Sequence, residues 1–155
     1  EGLTSVEGGF GRTGSRTPMQ WDKTLNAGFS SGSKMLIPLD PSNDRPDVLS
    51  QQNDADSLLN TVKKLIAVRQ AHEALQNFGG FEFIYAEKDR YPLIYRRFSD
   101  SEEIFAVINP LGKQAECPVS VSIGGKVIFK TGGDIKTNGG NISVPACSAF
   151  LIKTK

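Results

Sequence analysis

Residues 15–32, SRTPMQWDKTLNAGFSSG, concentrate side chains that could bind a ligand. Arg16 offers a planar fork of donors that suits a carboxylate or a pair of sugar hydroxyls. Trp21, the only tryptophan, offers a flat apolar face for stacking or packing, and Asp22 can fix a turn or pair with a cation. Arg16, Trp21 and Asp22 therefore indicate either a polar ligand site or a buried clasp that holds a loop down.

The rest of the chain gives no candidate pair of catalytic carboxylates. A retaining glycoside hydrolase needs two carboxyl groups about 5 Å apart across one bond. Glu102 and Glu103 are adjacent, and neighbouring residues of a strand point to opposite faces. The acids are therefore interpreted as solvated, helix-capping or turn residues, with Asp54 or Asp56 as the cap of a helix.

The sequence predicts no metal site and no cofactor. His72, the only histidine, lies near the end of a predicted helix, where a structural or solvent-facing role is expected. Cys117 and Cys147 lack a CxxC spacing, so we expect two buried free thiols, with a disulfide as the alternative. The glycines of residues 8–12 lack the strand and the Lys-Ser/Thr ending of a phosphate loop.

Composition limits the possible partners. The chain has 155 residues and a formal net charge of +1, without a basic or acidic tract that would indicate nucleic acid or a membrane surface. Its apolar runs are too short to span a bilayer, and its first residues do not resemble a signal peptide. The compartment stays open between cytoplasm and periplasm.

Three regions differ in pattern. Residues 1–53 show no helical or strand periodicity, and a loop of that length is unusual in a self-contained domain. Residues 54–77 predict one amphipathic helix that ends at Asn77 and Gly79-Gly80, because its apolar residues recur every three or four positions. They are Leu58, Leu59, Val62, Leu65, Ile66 and Val68.

Residues 78–155 alternate with a period of two and predict about seven short strands. Gly124-Gly125 and Gly139-Gly140-Asn141 are interpreted as hairpin turns. The fold class is therefore mainly β, an antiparallel Greek-key β-sandwich that follows the helix and the long irregular loop.

The segment Arg16-Thr17-Pro18-Met19-Gln20-Trp21-Asp22, followed by Asn26-Ala27-Gly28-Phe29-Ser30, resembles a motif of the α-amylase superfamily, glycoside hydrolase family 13. The oligo-1,6-glucosidase, α-glucosidase and trehalose synthase types are the most similar. Residues 35–39 resemble a further stretch of these enzymes, with Met35 in place of the usual Trp, and residues 51–69 resemble the approach to their last barrel helix.

The resemblance implies that the chain is the C-terminal part of a retaining enzyme that acts on α-glucosides or α-glucans. Residues 1–53 would be an active-site loop from the end of a (β/α)8 barrel, and residues 54–77 the last barrel helix. Residues 78–155 would be the C-terminal β-sandwich domain. The exposed stripe of the helix would pack on the parent's own barrel, and the isolated fragment would be prone to self-association.

The resemblance also implies the site residues. Arg16 would bind the terminal glucose, whereas Trp21 and Asp22 would shape the loop. A role for Arg12 near the acceptor site stays open, because Arg12-Thr13 replaces the family's Arg-Asp pair. The catalytic carboxylates and the calcium sites would lie outside this chain, so the fragment is expected to be inactive.

Two alternatives remain. One is a fragment of a trehalose synthase-type isomerase or transglycosylase, which differs in how its acceptor site excludes water. The other is a free-standing carbohydrate-binding β-sandwich, which the long loop and the uncovered helix stripe disfavour.

Overall fold

The structure, a computed structural model, describes residues 16–155. The chain divides into two compact units, residues 1–63 and 64–155, and each is described by itself. The possible role of Arg12 and the glycines of residues 8–12 lie outside the described residues. Within residues 16–155, no helix is both long and apolar enough to cross a bilayer.

Residues 16–63 of the first unit are largely irregular but contain short helices that the sequence did not predict. A 3-10 turn covers Leu25–Gly28, and helix α1 covers Val48–Asn53. Asp47 caps α1, since its carboxylate accepts the Ser50 N–H at 2.7 Å and the Ser50 hydroxyl at 2.6 Å. This capped turn is the local reason for a helix in a segment without apolar periodicity.

Helix α2 covers Leu58–Ala71 and is shorter than predicted. Ser57 takes the capping position in place of Asp54 or Asp56, because its hydroxyl accepts the Asn60 N–H at 3.2 Å. Asp54 instead accepts the Asp56 N–H at 2.9 Å in the turn between the two helices. The predicted helix is therefore present, but its Asp cap was wrong.

The end of α2 also differs from the prediction. His72 has an extended backbone, and a 3-10 turn follows at Glu73–Leu75. Gly79 and Gly80 do not close the helix in a left-handed conformation. They allow close packing, because a Cβ at Gly79 would lie 2.3 Å from the Ala74 carbonyl oxygen and one at Gly80 would lie 2.5 Å from the Phe98 ring.

The second unit is an antiparallel sandwich of eight strands. Its five-stranded sheet has the order β1-β2-β3-β8-β5, and its three-stranded sheet has the order β4-β7-β6. The strands are β1 Gly80–Tyr85, β2 Leu93–Phe98, β3 Glu103–Asn109, β4 Ala115–Pro118, β5 Lys126–Thr131, β6 Lys136–Asn138, β7 Asn141–Val144 and β8 Ser148–Lys153. The mainly β, antiparallel fold class is confirmed.

The core lies between the two sheets. The alternating residues of β2, β3, β7 and β8 supply buried side chains, joined by Cys117 of β4. They are Ile94, Val107, Cys117, Ile142, Val144, Phe150 and Ile152. Because this set draws on both sheets, burial of apolar area couples strands that are far apart in sequence.

Three details of the sandwich were mispredicted. Strand β6 was missed because all three of its residues are exposed and carry no apolar alternation. Gly124-Gly125 does not form a hairpin, since β4 and β5 belong to different sheets. Cys147 is an exposed free thiol in the turn before β8, whereas Cys117 is free and buried as predicted.

The turn at Gly139-Gly140 is confirmed as a hairpin. These two residues join Asn138 of β6 to Asn141 of β7, which are paired in the ladder. Both glycines have positive φ, at 56° and 84°. A two-residue hairpin turn of this kind requires that conformation, which glycine adopts without steric cost.

Candidate substrate-binding loop

Residues 20–28 form a left-handed turn. Asn26, Ala27 and Gly28 have φ values of 52°, 56° and 69°, and Ala27 is fully buried. The carbonyl oxygen of Ala27 accepts the Trp21 N–H at 2.9 Å and the Asp22 N–H at 3.3 Å. Because a non-glycine residue is strained in the left-handed region of backbone conformation, surrounding contacts must stabilise the turn at Asn26 and Ala27.

Asp22 supplies part of that stabilisation. Its carboxylate accepts both the backbone N–H of Thr24 at 2.8 Å and the Thr24 hydroxyl at 2.5 Å. It also lies against Gly28, where an added Cβ would approach the Asp22 carboxylate to 2.8 Å. The glycine is therefore required by its positive φ and by the contact with Asp22.

Asn26 and the start of α1 hold the two ends of the loop. The Asn26 side-chain amide donates to the carbonyl oxygens of Ser30 at 3.0 Å and Gly32 at 2.7 Å. The N–H groups of Val48 and Leu49 donate to the carbonyl oxygens of Gln20 at 3.0 Å and Trp21 at 2.9 Å. The first N–H groups of a helix lack partners within it. These two contacts therefore satisfy N–H groups at the start of α1 and tie α1 to residues 20 and 21.

The ligand-type side chains of the loop are open. Arg16 is exposed, and none of residues 17–155 forms an ion pair with its guanidinium. Trp21 is 49% exposed and Phe29 is 51% exposed, so neither ring is buried as a clasp would require. The loop thus combines a braced backbone with an exposed charged fork and exposed apolar rings, which is an arrangement suited to polyhydroxylated ligands.

One polar atom of the loop is unsatisfied. The Gln20 side-chain oxygen is buried without a hydrogen-bond partner, although the Gln20 amide nitrogen donates to the Pro46 carbonyl oxygen at 3.2 Å. An unpaired buried acceptor is costly, and this position requires a donor that residues 16–155 do not provide.

Glu102 of the sandwich is held by Lys153, His72 and a backbone N–H. Its side chain is 12% exposed and contacts Lys153 Nζ at 2.7 Å and His72 Nδ1 at 2.8 Å, and it accepts the Ala74 N–H at 3.2 Å. The Lys153 hydrogen bond, with that of His72, lowers the pKa of Glu102 to about 2. The prediction that Glu102 is solvated was therefore wrong. His72 makes a structural contact with it, in agreement with one of the two roles expected for this residue.

The neighbouring Glu103 is also an ion-pair residue. Its carboxylate accepts the Thr154 hydroxyl at 2.6 Å and pairs with Arg96 at 2.8 Å. These contacts lower the pKa of Glu103, the Thr154 hydrogen bond having the largest effect. A general acid needs a raised pKa, so neither carboxyl group fits that role.

Within residues 16–155, no group of three His, Cys, Asp or Glu side chains converges in a way that could hold a metal ion. Burial raises the pKa of Cys117 to about 11, which keeps its thiol protonated and unreactive.

The sequence pointed to Arg16, Trp21 and Asp22 but not to the residues that brace them. Asn26 and Gly28 were named only within the resemblance motif, and Asp47 was given no role, because each is a common turn or cap residue. Their local signals were an Asn-Ala-Gly run and an Asp three residues before Ser50. Neither signal reveals that the two segments pair with each other.

Comparisons with known proteins cover most of this chain. Residues 1–77 match the family described as alpha amylase, catalytic domain. The oligo-1,6-glucosidase of Parageobacillus thermoglucosidasius is 35% identical over 99 residues, which are 64% of this chain and 17% of that protein. The oligo-1,6-glucosidase of Halalkalibacterium halodurans is 30% identical over 131 residues, 83% of this chain and 23% of that protein.

Solved structures agree in fold. The isomaltulose synthase PalI from Klebsiella sp. LX3 has a TM-score of 0.77 and 26% identity, covering 92% of this chain and 25% of that one. The isomaltulose synthase SmuA from Protaminobacter rubrum has a TM-score of 0.78 and 28% identity, covering 92% of this chain and 25% of that one. The chain thus spans about a quarter or less of these relatives.

Proposed function

Because this chain belongs to the α-amylase family of glycoside hydrolases, we propose that it is the C-terminal part of a retaining enzyme acting on α-glucosides or α-glucans. The parent would form a covalent glucosyl intermediate and release it to water. The observation that carries the proposal is the braced loop, in which Arg16 is exposed while Asp22 and Asn26 fix the backbone of the residues that follow it, up to Gly32.

Arg16 is proposed to bind hydroxyls of the terminal glucose. A guanidinium presents two parallel donors, and its charge strengthens each hydrogen bond. Trp21 and Asp22 are proposed to shape the loop. The Asp22 contacts with Thr24 and Gly28 and the Trp21 backbone contacts support these roles.

The parent's barrel is proposed to cover helix α2. No residue of α2 is buried, and four of its apolar side chains are exposed: Leu58 by 74%, Val62 by 44%, Leu65 by 37% and Ile66 by 52%. An apolar stripe of this kind needs a partner surface in a stable protein. The same stripe disfavours a free-standing carbohydrate-binding module.

A sugar isomerase is the second candidate. The similarity to two isomaltulose synthases favours it, with 26% and 28% identity over 92% of the chain. Such an enzyme would differ from a hydrolase in passing the glucosyl unit to a retained sugar instead of water.

Products formed by the parent protein test the proposal. The coding sequence that includes the region upstream of Glu1 is expressed, and the product is incubated with isomaltose, maltose and sucrose. Release of glucose supports the hydrolase, and sucrose isomers support the second candidate. The isolated 155-residue chain, assayed in parallel, is expected to turn over none of these sugars. A parent that is inactive on all α-glucosides would refute both.

A further inference from the structure

A groove in the β1–β2 hairpin is lined by side chains for which the proposed function gives no role. It has a volume of about 740 Å³. Phe83, Tyr91 and Leu93 form its apolar lining, and the charged turn of residues 87–90 forms its polar lining. A concave surface with this mixture is the usual form of a small-ligand site.

Aromatic rings extend the groove over the outer face of the five-stranded sheet. Phe83 is 59% exposed and meets the Phe81 ring edge-on, with the ring centroids 4.8 Å apart. Phe81, 50% exposed, lies 5.2 Å from the Tyr95 ring centroid. Three adjoining rings therefore form a continuous apolar platform, and exposed patches of this type mark binding surfaces in soluble proteins.

The backbone around the groove is already ordered. A bulge between Phe83 and Tyr85 leaves Phe83 on the outer face while Ile84 and Tyr85 pack on the core. In the turn, the Arg90 N–H donates to the Glu87 carbonyl oxygen at 3.2 Å, and Asp89 has a φ of 60°. A ligand would therefore meet a preformed surface and order few residues on binding.

Charge restricts the ligand class. The turn carries Glu87, Lys88, Asp89 and Arg90, so its two acids balance its two bases. A polyphosphate or nucleic acid would require a net positive surface, and an apolar protein segment would leave these charges without solvent or partners. A neutral sugar chain matches both halves of the groove, since its C–H faces stack on aromatic rings while its hydroxyls bond to donors and acceptors.

We infer that this groove binds a segment of neutral α-glucan, with Phe83 and Tyr91 as the stacking residues. The choice of an α-glucan rests on the proposed function. The site would hold a polymeric substrate on the sandwich domain and would contribute no group to bond cleavage.

The test is frontal affinity chromatography of the 155-residue chain over immobilised isomalto- and malto-oligosaccharides. We expect retardation, and we expect Phe83→Ala and Tyr91→Ala each to weaken apparent affinity by about tenfold, as loss of an anchoring aromatic does. Phe98→Ala is the matched control. Phe98 is 37% exposed, and its place in the β2 register, next to outer-facing Arg97, puts it on the opposite face of the sheet. Circular dichroism verifies that each variant folds.

Three results would overturn the inference: no retardation on either glucan, equal retardation of all three variants, or a chain that self-associates through Phe83 and binds no glucan. Sedimentation of the wild-type chain and Phe83→Ala detects the last of these. The chain lacks the catalytic carboxylates, so its binding is read independently of the parent's activity. A glucoside-hydrolysing parent with a non-binding chain would refute only this inference. Binding by the chain with an inactive parent would refute only the proposed function.

Discussion

The loop of residues 16–47 and the β-sandwich are stabilised in different ways. The loop relies on hydrogen bonds from Asp22, Asn26 and Asp47, and its large apolar side chains are mostly open, with Leu36 98% exposed. The sandwich buries seven core residues between two sheets. A region held by a few polar contacts can present its side chains to a ligand, whereas the region with the core provides the stability.

The largest expected effect is on the sandwich. Ile142 is fully buried in β7, so Ile142→Ala is expected to lower the free energy of unfolding by about 2–5 kcal/mol, from lost burial and the cavity left behind. Leu36→Ala, in the exposed loop, is the control and is expected to change it by less than about 0.5 kcal/mol. Urea denaturation followed by far-ultraviolet circular dichroism measures both, and equal effects would remove the distinction between the two regions.

The sandwich was also the easier region to predict from sequence. Period-two alternation in the sequence located β1, β2, β3, β7 and β8, and in β7 and β8 alternate residues lie in the core. It could not locate β6, which buries nothing, or the Glu102 ion pair, since Lys153 lies 51 residues away in the chain. Long-range polar contacts leave no local pattern.

The loop was predicted differently. Its residue types suggested a ligand site or a clasp, and only the resemblance to a known motif favoured the ligand. Asn26 and Gly28 could not be singled out, because a left-handed turn depends on contacts with Asp22 and Ser30 that local propensity does not encode. The role of Arg16 stays a prediction.

The second prediction concerns catalysis in the parent enzyme. Arg16→Ala is expected to lower kcat/KM on short α-glucosides by more than about tenfold, because a charged hydrogen bond to substrate contributes about 1.5–3 kcal/mol. Arg45→Ala is the matched control, since Arg45 donates to the backbone of its own turn at Asp40 and Ser42. Near-normal kinetics for Arg16→Ala, with an unchanged fold, would assign Arg16 to structure.

The third prediction uses the pKa of Glu102. This pKa is lowered from 4.5 to about 2, so the carboxylate stabilises the folded state fully above pH 4.5 and loses that contribution as the pH falls towards 2. We expect Glu102→Gln to lower the melting temperature at pH 6, where the charged contacts contribute about 1.5–3 kcal/mol. The difference from the wild type is expected to disappear near pH 2.

Glu116→Gln serves as the control for that titration, because Glu116 is exposed and, within residues 16–155, its side chain accepts a hydrogen bond only from Gln114. Its melting temperature is expected to follow the wild type at every pH. A Glu102→Gln variant that also follows the wild type would show that the contacts with Lys153 and His72 add no net stability.

The smallest expected effect is on association of the isolated chain. The exposed stripe of α2 is expected to promote self-association at micromolar concentration, because burial of each aliphatic side chain contributes up to about 1.5–3 kcal/mol. Leu58→Ser with Ile66→Ser is expected to shift the chain towards monomer in sedimentation velocity. A wild-type monomer that binds a hydrophobic dye through an open helix would contradict the expectation.

The position of β8 has a consequence for synthesis on the ribosome. This strand lies between β3 and β5, and Thr154 donates its N–H to the Glu103 carbonyl oxygen at 2.9 Å. The β1–β2–β3 meander can pair as soon as it emerges, but β5 has no neighbour in its sheet until residues 148–153 have left the exit tunnel. Closure of the sandwich must therefore wait for β8. Until then β5 stays unpaired in its sheet, including the time in which residues 132–147 are translated.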